Sequence, residues 1–281
     1  MCIYQLEKCY NKNVKFNQKE HLKKIARTGG LARIKLYGNP GTPSGRILGG
    51  QKARITHNSL TSSPFVARKF PPPIFSEDLS EFIGILLGDG GVSARQVTIT
   101  LHKYDDKDYS DYVARLIKKV FRLHVLPKER IKENVNIIVL SRTLLVEFLK
   151  SMGIQSGSKI RNQDRIPYWI ESNPDYKRKC LRGLFDTDGC FYVDKHVIKG
   201  KVYKNAGMNF TNRSIPLLEF FKSTLIESGF APTQTSKYCI VLRRESDIVR
   251  YFGEIGCSNP KHVNKFRAYI EEKRKSVRVV E

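Results

Sequence analysis

Apolar and polar positions after residue 75 fall into short periodic runs that occur twice. Val97-Thr98-Ile99-Thr100-Leu101-His102 alternates as a half-buried strand does, and Tyr112 to Phe121 then takes helical spacing. A second strand is predicted over Val135-Asn136-Ile137-Ile138-Val139, followed by a helix from Leu144 to Met152 that stops at Gly153. The same order returns in Ala206 to Thr211, Leu217 to Leu225, Tyr238 to Leu242, and Ile248 to Ile255 before Gly256. Ahead of each set stands an apolar helical run ending in Asp-Gly, Ser80 to Gly90 and Lys179 to Gly189. The two align without a gap 99 residues apart, Gly84 on Gly183 and Asp89 on Asp188. Self-similarity of this kind predicts a duplicated α+β unit, with repeats over 76–164 and 165–281.

Residues 1–75 have another texture. The pattern predicts a Lys-rich helix near Asn17 to Arg27 and then a loop-rich arm, broken by Gly29-Gly30, the run from Gly38 to Gly45, and Gly49-Gly50. Pro64 and Pro71-Pro72-Pro73 close it as a stiff linker. A disordered solubilising tail has the same composition; the alternative is an arm laid along phosphates.

Charge changes the picture by naming a partner class. The chain's 50 Lys and Arg against 27 Asp and Glu leave +23 in 281 residues, the balance of a polyanion binder. Residues 1–75 alone hold fourteen Lys and Arg against Glu7 and Glu20, a net +12. No run of about 18 apolar residues exists to span a membrane, and the first residues lack a secretory core. The expected location is therefore intracellular: cytoplasm, nucleoid or an organellar matrix. The six cysteines form no CxxC pair and no zinc spacing, so they read as reduced and structural.

The Asp-Gly helix ends carry the chemistry. An aspartate at a helix C-terminus sits at the negative end of the macrodipole, where a carboxylate is disfavoured. A bound cation is the simplest compensation. Gly84/Gly88 and Gly183/Thr187 place small residues four apart on one face of each helix, so the two helices can pack closely there. Pairing across a pseudo-twofold axis would bring Asp89 and Asp188 side by side. Two close carboxylates repel unless they share a hard cation such as Mg²⁺.

These residues resemble the paired motifs of the single-chain LAGLIDADG homing endonucleases, with Asp89 and Asp188 at the family's acidic metal-ligand position. The resemblance runs from about Ile74 to the C-terminus. It includes Arg165 to Ile170 and the matching segments Gly157-Ser158-Lys159-Ile160 and Asn259-Pro260-Lys261-His262. Leu87 stands where the family motif has an aspartate, and Gly88 where it has alanine. The resemblance implies an α+β fold of duplicated LAGLIDADG units with pseudo-twofold symmetry, forming a DNA-binding saddle, plus the basic N-terminal extension. It further implies a monomer that hydrolyses both strands of double-stranded DNA with Mg²⁺ or Mn²⁺. Asp89 and Asp188 would hold the metal beside Gly88 and Thr187. Lys159 and Lys261, 70 and 73 residues after their aspartates, would act as catalytic-pocket lysines or as plain phosphate contacts.

DNA reading would fall to the wet strand faces and their ends. In the first repeat these are Gln96, Thr98, Thr100, His102, Lys103, Asn134 and Asn136, with Asn134 and Asn136 facing out against Val135 and Ile137. In the second they are Lys201, Tyr203, Asn205, Asn209, Thr211 and Arg243, against Val202, Ala206, Met208 and Phe210. Asn, Gln, Lys and Arg pair with purine edges in the major groove; an ordinary solvated sheet face has the same pattern. Two other readings fit the fold: a maturase that binds intron RNA and assists splicing, and a DNA-binding regulator without catalysis. The ending Val279-Val280-Glu281 offers no asparagine-plus-nucleophile junction, which makes an intein the less expected source.

Overall fold

The computed structural model describes residues 3–60 and 71–278. Its contacts divide the chain into one unit over residues 1–67 and a second over 68–281. Pro64 lies outside the described residues.

The first unit is a helical hairpin, α1 (Ile3–Tyr37) and α2 (Pro43–Ser59). Here the sequence expectation was wrong: α1 runs through Gly29-Gly30 and α2 through Gly49-Gly50. A helical glycine costs roughly 1 kcal/mol relative to alanine, which the surrounding Lys, Arg, Leu, Ile and Ala can outweigh. The turn forms where several stop and start signals coincide. Gly38 takes φ +77°, Asn39 Oδ1 accepts from Gly41 N at 2.9 Å, and Thr42 caps α2 by accepting from Gly45 N at 3.1 Å, with Pro43 in the first turn. Most described side chains of this unit are exposed, including Leu22, Ile25, Leu31, Ile47 and Ile55.

In the second unit, α3 (Glu77–Asp89) starts at Ser76, whose hydroxyl accepts from Leu79 N at 3.2 Å, with Glu77 and Asp78 in its first turn. It passes directly into β1 (Gly90–Val92), followed by β2 (Val97–His102), α4 (Lys107–Phe121), β3 (Lys128–Arg130), β4 (Val135–Leu140), α5 (Thr143–Ser151) and α6 (Lys159–Asn162). A short α7 (Tyr168–Glu171) leads to the second copy: α8 (Pro174–Asp188), β5 (Gly189–Ile198), β6 (Lys201–Thr211), α9 (Ile215–Glu227), β7 (Thr233–Ser236), β8 (Cys239–Leu242), α10 (Glu245–Glu254) and α11 (Pro260–Arg278). Both sheets are antiparallel with equivalent orders, β1-β2-β4-β3 and β5-β6-β8-β7. The duplicated α+β unit is therefore present as such.

The motif helices α3 and α8 pack on each other along their glycines, more extensively than any other two helices. A Cβ on Gly84 would stand 2.2 Å from the Cys180 carbonyl, and one on Gly183 would stand 2.3 Å from the Glu81 carbonyl. Backbone meets backbone at both points. Around them a single core runs through both repeats, from Phe82, Ile99, Val113 and Ile138 to Phe185, Phe191, Phe210 and Tyr251. Trp169 is partly buried and stacks on Phe75 at 4.5 Å.

The strand faces agree with the alternation in β2, and in β6 except at Val202, which is 62% exposed rather than inward. In β4 the expectation failed. Asn136 is buried and donates to the Lys103 carbonyl and Ser110 Oγ, both at 3.4 Å. Register explains it: His102 pairs with Val135, Thr100 with Ile137 and Thr98 with Val139, so the odd-numbered residues of β4 share the outer face. Asn134 sits before the strand, exposed and left-handed at φ +52°.

Candidate active site

Because α3 and α8 end together, their last turns touch. A Cβ on Gly88 would stand 2.0 Å from Thr187 Oγ1 and 3.4 Å from Asp188 Oδ2, so Asp188 lies against the final turn of the other helix. Thr187 turns its hydroxyl back onto its own helix, donating to the Gly183 and Leu184 carbonyls at 3.0 Å.

Burial and then the neighbouring Asp188 charge push the Asp89 carboxyl up from 3.8 to about 7, against the pull of Lys159. Asp188 is also raised by burial, opposed by Lys159 and by Asn212, whose Nδ2 donates to Oδ2 at 2.8 Å. Among the described residues none donates a hydrogen bond to the Asp89 carboxyl. The two aspartates are thus close enough to feel each other, and they are unequally supported.

Lys159 enters from α6, which Ser158 caps. Its ammonium donates to the Leu87 carbonyl at 3.0 Å and to the Gly88 carbonyl, two of the oxygens that a helix end leaves without an internal partner. Burial lowers its pKa, opposed by Asp188 and Asp89. Lys261 is placed differently: its Nζ lies 2.9 Å from Asp106 Oδ1. Asp106 also accepts from Asn259 Nδ2 at 2.8 Å and from His102 N at 3.2 Å. Burial pushes Asp106 up, but these donors and Lys261 hold it below the ordinary carboxylate range. The sequence-matched lysines therefore occupy unlike places, one over the carboxylate pair and the other bridged to a first-repeat acid.

Beneath the aspartates lies a polar network that the sequence reading missed. Buried Glu81 accepts from Tyr112 OH at 2.6 Å, from Ser258 Oγ at 2.7 Å and from Arg182. Buried Asp186 accepts from Ser258 N at 2.9 Å and Cys257 Sγ at 2.7 Å, and burial pushes its carboxyl up to about 7. Charged residues inside an apolar helical run were the available signal. His262 is buried 5.1 Å from the Phe185 ring, and burial lowers it to about 4.

Among the described residues no three His, Cys, Asp or Glu side chains cluster as a metal site. The chain offers two carboxylates and adjacent helix-end carbonyls, a hard all-oxygen set. This suits Mg²⁺, which usually takes one or two carboxylates and completes its shell with water and substrate phosphate. Oxygen partners for a polyanion's counterion are thus present where a lysine ammonium already sits.

The other expected residues are spread over the strands. Thr98, Thr100 and His102 share the outer face of β2, and His102 Nδ1 lies 3.2 Å from Asp105. Lys103 bridges Glu129 at 2.9 Å. Gln96 and Arg243 are exposed beyond strand ends, and Lys201, Tyr203, Asn205, Asn209 and Thr211 share one face of β6. No helix among the described residues is long and apolar enough to cross a membrane.

Residues 175–256 match the family profile of the LAGLIDADG-like domain. Over 209 residues the chain is 28% identical to the replication factor C small subunit of Methanocaldococcus jannaschii, covering 73% of this chain and 11% of that protein. Over 132 residues it is 30% identical to the ribonucleoside-diphosphate reductase NrdEB subunit alpha of Bacillus subtilis, covering 42% and 12%. The chain spans about a tenth of the length of these curated relatives. Similar solved structures include the I-LtrWI LAGLIDADG homing endonuclease bound to target DNA, at 14% identity and TM-score 0.48 over 71% of this chain and 91% of that one. Another is I-DmoI in complex with DNA and Ca, at 16% identity and TM-score 0.43 over 64% and 88%. The second repeat thus carries a LAGLIDADG-like domain, and the first repeat has the same helix, strand order and Asp-Gly end.

Proposed function

We propose that the chain is a site-specific endonuclease of the homing type, acting as a monomer to hydrolyse both strands of double-stranded DNA with Mg²⁺ or Mn²⁺. The observation that carries this reading is the meeting of Asp89 and Asp188 at two touching helix ends, with Lys159 beside them. A divalent cation held by the two aspartates, next to Gly88 and Thr187, would supply charge that offsets the phosphodiester and makes a water more acidic. Asn212 keeps Asp188 oriented through Oδ2. Lys159 brings a fixed positive charge to the place where negative charge grows on the reacting phosphate. Lys261, tied to Asp106, acts as the second basic residue at the edge of the site. The wet strand faces, from Thr98, Thr100 and His102 to Asn209 and Thr211, contact bases, and the +23 charge drives phosphate binding.

Selection of cleaved sites from a randomised duplex library with Mg²⁺ tests the reading. Cutting should stop with EDTA, and Asp188→Asn should lose double-strand cleavage while keeping most binding. Undiminished cutting by the Asp89→Asn, Asp188→Asn double variant would sink the mechanism. Binding of intron RNA with no cleaved duplex would favour the maturase reading.

A further inference from the structure

The segment that carries Lys261 is fastened across to the first repeat. At its centre Asn259 is fully buried, and both ends of its amide are used. Its Nδ2 donates to Asp106 Oδ1 at 2.8 Å and to the Asp186 carbonyl at 3.0 Å. Its Oδ1 accepts from Lys261 N at 3.1 Å, which caps the first turn of α11. One side chain therefore ties together the start of α11, the end of α8 and the first repeat's Asp106. Asp106 is itself buried just ahead of α4, where His102 N donates to its Oδ2 and the Lys261 ammonium lies against its Oδ1.

The equivalent positions around Lys159 are built differently. Gly157 stands where the second repeat has Asn259; it is exposed at φ +105° and has no side chain to reach across. Ser214 precedes α9 as Asp106 precedes α4. Its hydroxyl donates to the Asp164 carbonyl at 2.9 Å, and it carries no charge to hold an ammonium. Lys159 is held by helix-end carbonyls of its own repeat instead. A lysine is a point charge on a flexible stem, so its place is decided by whatever holds the ammonium. For Lys261 that holder is a buried carboxylate, which is costly unless it is paired and hydrogen-bonded, and here donors from both repeats meet it. The Asp89 carboxyl feels the charges of both Asp106 and Lys261, so the pair stands at the Asp89 end of the site.

We infer that Asp106 and Asn259 are positioning residues, through which the first repeat holds the second repeat's Lys261 beside Asp89. The lysine is then in place only while the two repeats are docked, and its contribution falls on one strand of the duplex. The effect on cleavage rests on the proposed function; the placement of Lys261 does not.

Placement is tested on the full chain in EDTA, by the rate at which acetic anhydride modifies each lysine, read by mass spectrometry. In the unaltered chain Lys261 should react more slowly than the exposed Lys265. Asp106→Asn removes the ion-pair partner, and Asn259→Ser keeps a capping hydroxyl for α11 while removing both amide donors. Either should raise the Lys261 rate several-fold and leave the Lys159 rate unchanged. No rise at Lys261 in either variant overturns the inference, and so does an equal rise at both lysines, which would mark a general loosening.

The consequence is read in single turnovers with Mg²⁺, on a duplex selected from the randomised library and labelled separately on each strand. Both variants should slow the cut of one strand by about a hundredfold, the scale of a misplacement of about 1 Å, so that nicked duplex accumulates. The rate on the other strand and the affinity for the duplex should not change. Lys261→Met should slow the same strand, and adding Asp106→Asn to it should slow that strand no further, because residues that act as a unit are not additive. Asp106→Glu should recover part of the rate. Asn259→Ser leaves both charges in place and carries the test should Asp106→Asn alone fail to fold. Equal slowing of both strands, or additive losses in the double variant, would show a merely structural role and overturn the inference. Release of Lys261 in the labelling experiment, with no duplex cut by the unaltered chain, would overturn the proposed function and support the placement.

Discussion

Asp89→Asn should make the metal-free protein more stable at neutral pH, because the carboxylate pair is held together at a cost. Burial and Asp188 carry the Asp89 carboxyl from 3.8 to about 7, and at about 1.4 kcal/mol per pH unit the ceiling on that cost is about 4 kcal/mol. The pull of Lys159 is already contained in that value; the buried amide, left without a partner of its own, offsets part of the gain, leaving about 2 kcal/mol, or roughly 4–8 °C in melting temperature for a unit of this size. The sign follows from linkage. A folded pKa above the unfolded one means that the folded state keeps its proton longer, so the cost is full above pH 7 and shrinks as pH falls toward 4. The advantage of Asn should therefore be largest at pH 8 and small near pH 4.5. Excess Mg²⁺ should reverse the order, since only the wild-type pair keeps both ligands and gains stability by mass action. Differential scanning calorimetry at both pH values, with EDTA and with Mg²⁺, measures all four states. A variant no more stable than wild type at pH 8 in EDTA would refute the claim that the aspartates are held against their own repulsion.

Other consequences can be checked directly. Gly84→Ala, whose Cβ would meet the Cys180 carbonyl at 2.2 Å, should cost about 3 kcal/mol or more in urea titrations, whereas Gly88→Ala should cost less, because rotation can move Thr187 Oγ1 aside and leaves a 2.8 Å approach to Thr187 Cβ rather than a clash with backbone. Glu81→Gln leaves Arg182 facing a neutral buried partner and should destabilise by about 3 kcal/mol; a loss below about 1 kcal/mol would show that the pair contributes no more than a surface one. Deleting residues 1–70 should leave the repeats folded by circular dichroism, weaken binding to target and random duplexes alike, and flatten the dependence on salt. Identical salt slopes would show those residues to be a solubilising segment. Light scattering of the DNA complex should give one chain per duplex.

The duplicated plan was legible in the sequence because strand alternation, helical spacing and the Asp-Gly ends are local signals, and each occurs twice in the same order. The glycine spacing that brings α3 and α8 together was equally visible, since close helix contact needs small residues on one face. Local signals misled where several weak ones compete: Gly29-Gly30 and Gly49-Gly50 looked like breaks, but the helix formers around them carry α1 and α2 through. Asn136 was assigned to the wrong face because Ile137 and Ile138 are both buried, so hydrophobicity alone could not choose the phase of β4. The register with β2 chose it. The inequality of the lysines was hidden for a related reason. Lys159 and Lys261 hold matching sequence positions, and whether each reaches a helix-end carbonyl or Asp106 depends on contacts across 72 and 155 residues of chain. Asn212 on Asp188 and the Glu81–Arg182–Ser258 network are likewise meetings of distant segments, which periodicity does not encode and only the packed fold brings about.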